Sequence, residues 1–203
     1  MESLEQGSSA GGFHWREILL LPLSPMERLE DLEDIVDLSY SFVILFVSAL
    51  AAAIVRSLTL AEETGGADRL LAAGFWFGYI IASAAVFSLV SSRLLPSTHR
   101  SNRNRFKKTF TLVGYCSPWI AASAVVQSMT QSFMTDELSI GFALGIDLLA
   151  LALGILVLVI VVSAVAVANS TSRGRAFAGA IVGVLAIGGM ALLAVLAGLD
   201  SFI

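Results

Sequence analysis

The chain has 203 residues, of which 57% are hydrophobic and 14% charged, with a mean hydropathy of +0.85. Soluble domains hold about 45–50% apolar and about 25% charged residues, so this composition excludes an ordinary water-soluble fold. The net charge of −4 hides a segregation: nine of the sixteen acids precede residue 38, and six of the twelve basic residues lie between Arg93 and Lys108.

The chain opens with an acidic, Gly/Ser-rich stretch over residues 1–12. It has neither the basic region nor the early apolar core of a secretory signal, and it reads as disordered. Phe13, Trp15 and Ile18–Leu21 then form a short apolar patch expected at the membrane surface. Ser24-Pro25-Met26-Glu27 is a capping box with proline at the first helical position. From it Met26, Leu29, Leu32 and Val36 recur at three- and four-residue spacing, opposite Glu27, Glu30, Asp31 and Asp34. That pattern predicts an amphipathic helix over about 25–36, lying at the interface as part of an N-terminal cytoplasmic segment, 1–37. Its acidic polar face argues against recruitment to anionic lipid.

Residues 38–203 hold five stretches long and apolar enough to cross a bilayer: 38–55, 70–92, 110–129, 147–168 and 176–199. In hydrocarbon every backbone polar group needs a partner within its own segment, so these stretches read as helices. The predicted fold is all-α, an integral membrane bundle of five transmembrane helices preceded by the interfacial helix. With the N-terminus in the cytoplasm, that side collects ten Lys and Arg residues against two, Arg56 and Arg69, on the other. The bias places the N-terminus inside and the C-terminus outside or in a lumen.

Between the second and third stretches, Arg93–Lys108 is the most polarised segment and reads as a basic loop. Arg100, Arg103, Arg105, Lys107 and Lys108, with Glu30, Asp31 and Asp34 of the acidic helix, form the candidate interaction face. Its expected partners are membrane lipids and other membrane proteins, or a larger membrane complex. Nucleic acid is not expected, because the loop is short and has little aromatic interleaving. The third stretch places Gly114, Tyr115 and Pro118 within its first third, and proline there is expected to kink the helix.

Asp147 is the one acid inside an apolar stretch, and such acids are functional candidates. The uninterrupted run Leu138–Ala168 exceeds what a crossing needs, so Asp147 is expected at the outer headgroup boundary. Gly141 and Gly145, and Gly179 and Gly183, are spaced for close helix approach, inside the bundle or in a homo-oligomer. The single cysteine, Cys116, has no internal disulfide partner and reads as a packing residue. His14 and His99 have no partner at metal-ligand spacing. No nucleophile elbow or phosphate loop is present, so no catalytic residue, metal or cofactor is assigned.

The segment Phe110-x-x-x-Gly114-Tyr115-x-x-Pro118 after a basic run, and Asp37-Leu38-Ser39-Tyr40 at the first crossing, resemble motifs of the Yip family. Leu20–Leu29, with Pro22 and Pro25, is similar to the proline-marked lead-in of its prokaryotic members. The resemblance implies a five-span fold and a non-enzymatic role at the cytoplasmic face, in membrane organisation or trafficking. The short N-terminal extension points to a prokaryotic cytoplasmic membrane, with a eukaryotic endomembrane as the alternative. Two other readings stay open: an accessory subunit of a larger complex, and a small transporter or channel using Asp147, Gln127 and the Gly114–Pro118 break.

Overall fold

A computed structural model describes residues 15–35, 37–58, 66–95, 102–133 and 140–197. Two short helices, α1 (Trp15–Leu20) and α2 (Pro25–Ile35), precede five long ones. These are α3 (Leu38–Leu58), α4 (Gly66–Leu94), α5 (Asn102–Phe133), α6 (Ile140–Asn169) and α7 (Arg173–Leu196). Each of the five is long and apolar enough to cross a membrane, and no strand occurs among the described residues. The expectations for residues 1–12, His14, His99 and Arg100 fall outside the described residues.

Local chemistry sets the helix ends. Ser24 O accepts from Arg28 N at 3.1 Å, so α2 begins at Pro25. Asp37 starts the first crossing as an N-cap: its Oδ1 accepts from Ser39 N at 3.2 Å and its carbonyl from Ser41 N at 3.2 Å. α6 ends in a Schellman turn, with Thr171 N bonding Ala166 O and Ser170 N bonding Val167 O. Ser170 takes the left-handed conformation there (φ 49°), a position glycine usually fills. The turn is so short that α7 doubles back directly on α6.

α5 is the most buried crossing, and it packs against α3, α4 and α6, while α7 leans on α4 and α6. Close approach of α3 and α5 depends on Gly114. A Cβ there would lie 2.0 Å from Ser41 Oγ and 3.0 Å from Ser41 O. Ser41 Oγ donates to Thr111 O at 2.7 Å across the same contact. Small residues and side-chain hydrogen bonds replace the hydrophobic driving force that a bilayer cannot supply between helices.

The glycines divide differently from their spacing. Gly179 meets Leu95, and Gly183 meets Phe87, where a Cβ would lie 2.6 Å from Phe87 Cδ2, so both serve the contact of α7 with α4. Gly145 has nothing within 4 Å. Gly141 lies in α6, with its surroundings outside the described residues.

Pro118 sits inside α5, which continues without interruption to Phe133. Proline cannot donate to the carbonyl four residues back, which is Gly114 O. Ser117 Oγ donates to that carbonyl instead, at 2.6 Å. The freed acceptor is satisfied within the helix, as hydrocarbon requires.

Candidate functional site

One end of the bundle carries Arg93, Arg105, Lys107, Lys108, Arg173 and Arg175, and is called the basic end below. The first two turns of α5 are built from residues expected as loop. Arg103, Arg105, Lys107 and Lys108 all lie in the helix, because its hydrogen bonding has no breaker before Asn102 and can run past the apolar stretch.

Those basic residues do different things. Arg105 is buried, and its Nη1 donates to Leu95 O at 2.6 Å and Ser92 O at 3.2 Å. It therefore caps the carbonyl end of α4, where a cation is favoured by both geometry and dipole. Lys108 is paired with Glu33 of α2. Lys107 is exposed, and the Arg103 side chain lies outside the described residues. On the acidic side Glu30 and Asp31 are exposed, and the Asp34 side chain is outside the described residues. Glu33, absent from the residues singled out in the sequence, is the acid that joins the two segments.

A second buried polar pair closes this end. Asn169 Nδ2 donates to Thr109 Oγ1 at 3.2 Å and to Val165 O at 2.9 Å, tying the last turn of α6 to the start of the α5 crossing.

The α1–α2 unit is a short helical hairpin. Arg28 Nη1 donates to Glu17 Oε2 at 2.7 Å across it, and the chain reverses through Leu21–Ser24. Ile18, Leu21, Leu29 and Leu32 are each no more than 1% exposed. They join one core with Ile44, Leu112, Cys116, Ile160 and Ala164 of the crossings. Tyr115 is buried in the same core, and Cys116 is a free thiol fully enclosed by it.

The depth of the hairpin follows from one hydrogen bond. Trp119 Nε1 donates to Ile18 O at 2.8 Å. Trp119 lies eleven positions beyond Lys108, which is about 16 Å along the helix at 1.5 Å per residue. α1 therefore packs against α5 well below the basic end of the bundle. Leu19 of α1 (64% exposed) and Leu23 of the turn (79% exposed) point outward from the hairpin. The Glu17–Arg28 pair joins the two helices of the hairpin and is partly exposed.

The other singled-out residues do not converge on a polar centre. Asp147 is exposed on α6, twenty-two positions from Asn169 and thus at the far end of the helix. Gln127 lines a cavity between the crossings that neither Asp147 nor Pro118 borders. Gly114 and Tyr115 are spent in packing. Among the described residues no cluster of His, Cys, Asp or Glu is arranged to hold a metal.

A family model described as the Yip1 domain matches residues 18–196. The match begins inside α1 and ends on the last residue of α7, so it takes in the hairpin as well as all five crossings. No curated protein and no solved structure gives a match.

Proposed function

This chain belongs to the Yip1 domain family of membrane proteins, and from that premise we propose that it is a non-enzymatic membrane organiser. It acts through the α1–α2 hairpin and the exposed charges beside it, with the N-terminus and the basic end in the cytoplasm. Ten of the twelve Lys and Arg residues fall on that side in this orientation, the sign expected for cytoplasmic flanks.

The observation that carries the reading is the Trp119–Ile18 hydrogen bond. It holds α1 against the middle of α5; in this reading the two additional helices lie beside the crossings in the cytoplasmic leaflet, about 15 Å deep, and the lipid must make room for them. The opposite leaflet receives no equivalent element among the described residues. Such an asymmetric cross-section suits membrane bent towards the cytoplasm, in the same way that a shallow amphipathic insertion is curvature-sensitive. Glu30, Asp31 and Lys107 remain exposed next to the hairpin and form the docking face for protein partners and lipid headgroups.

Single-vesicle fluorescence tests the reading. The full chain, reconstituted with its basic end outward in vesicles of mixed diameter, should be enriched in the smallest ones. The double variant L19Q/L23Q changes exposed residues only and should distribute evenly. Equal density of the wild-type chain at all diameters contradicts the proposal.

A further inference from the structure

Between α3, α4 and α5, with α6 and α7 behind, lies a cavity of about 490 Å³. Pockets of roughly 300–1,000 Å³ are the size that encloses a small ligand. Along α5 its lining runs from Val113 to Ser128, about 22 Å by helix rise. It is therefore a slot along the membrane normal and longer than the roughly 15 Å share of one leaflet.

The walls of the slot are small and apolar, with Ala49, Ala52, Ala121 and Ala124 among them. Towards the basic end Phe87 lines it and abuts Gly183, so tightly that a Cβ on the glycine would lie 2.6 Å from the ring. At the other end Arg56, Gln127 and Ser128 line its mouth. The Arg56 guanidinium stacks over Trp76 at 5.1 Å, and Trp76 and Tyr79 form an aromatic group of the kind found at headgroup level. Among the described lining residues Arg56 is the cation and none is an acid.

One further side chain sets this cavity apart from the packed serines. Ser88, Ser117, Ser128 and Ser163 each donate to a carbonyl three or four residues back in their own helix. The Ser83 hydroxyl, buried on the cavity wall, has no hydrogen-bond partner.

We propose that this slot binds one hydrocarbon chain of an anionic phospholipid, drawn from the leaflet opposite the hairpin, with the phosphate at Arg56. A chain threaded from the mouth fills it and leaves the headgroup among Arg56, Gln127 and the aromatic rim. Arginine recognises phosphate oxygens with directed, charge-assisted hydrogen bonds, which a zwitterionic headgroup offsets with its own cation.

Native mass spectrometry of the full chain, released from nanodiscs of equal phosphatidylglycerol and phosphatidylcholine, provides the test. The wild-type chain should retain one lipid, and phosphatidylglycerol should exceed phosphatidylcholine on the order of tenfold, as one charge-assisted hydrogen bond implies. A124F, which places a ring in the slot, should lose the lipid. R56Q should keep a lipid but lose the preference between headgroups. If A124F fails to fold by circular dichroism, the smaller change A121L should lower retention in a helical protein. A lipid-free wild-type chain, unchanged retention in A121L and A124F, or equal retention of both lipids by the wild-type chain would overturn the proposal.

Discussion

The indole of Trp119 donates to the main-chain carbonyl of Ile18, 2.8 Å away and 101 residues earlier in sequence. The bond fixes a helix of the N-terminal hairpin to the middle of the third crossing. Trp119→Phe keeps the ring and removes the donor, leaving the Ile18 carbonyl with only the longer 3.4 Å bond from Leu21 N. The expected cost is about 1–3 kcal/mol, confined to the hairpin. Hydrogen exchange should rise across residues 15–35 while the protection of α5 and α6 stays as it was.

Ser117 and Gly114 form a local repair of the proline position, with Ser117 Oγ donating to Gly114 O. Ser117→Ala should destabilise the bundle by roughly 0.6–1.7 kcal/mol, the range of hydrogen bonds within membranes. In a Pro118→Ala background the backbone N–H returns and makes the serine redundant. A double-mutant cycle read by reversible unfolding in mixed micelles should therefore show strong coupling between the two positions. Additive effects would mean that the serine has another role.

Gly114 and Gly145 should respond in opposite ways to alanine. At Gly114 the new methyl group collides with Ser41, including its backbone oxygen, so α3 and α5 must part. The loss expected is about 1–3 kcal/mol, as for overpacking. Gly145 faces open space, so Gly145→Ala should be neutral or stabilising by up to about 1 kcal/mol through helix propensity. Thermal inactivation midpoints in detergent would separate the two.

Lys108 and Glu33 link the start of α5 to α2 across the basic end. The pair is only partly buried, with side-chain exposures of 32% and 18%, so about 1 kcal/mol or less is at stake. Lys108→Glu should loosen the hairpin and expose it to protease. The charge swap K108E/E33K should restore protection, which neither single change should do.

Much of the architecture is legible in the sequence because membrane physics leaves few choices. Uncharged runs of sufficient length must be helices, and Ser24-Pro25 and Asp37 announce the starts of α2 and α3 as their chemistry requires. The site is less legible. Spacing of Met26, Leu29 and Leu32 is the same whether a helix lies on a bundle or is inserted beside one, so it does not encode depth. The nearest available signal was the apolar run Ile18–Leu23 with Pro22 inside it, too short to cross and too apolar for an interface. Arg105 was unreadable for a different reason. Within a run of basic residues nothing distinguishes the one that turns inward to cap α4 from those that stay in water. Ser117 was readable, since a serine beside a mid-helix proline is placed to reach the carbonyl the proline frees.

The central claim is that the hairpin turn lies inside the hydrocarbon of one leaflet, and a spin label on Leu23→Cys measures this most directly. Cys116 is fully buried and leaves the background unlabelled. The account predicts that the label, in reconstituted bilayers, collides readily with oxygen and rarely with a water-soluble nickel chelate. Dominant collision with the nickel chelate would place the turn in water and contradict the account.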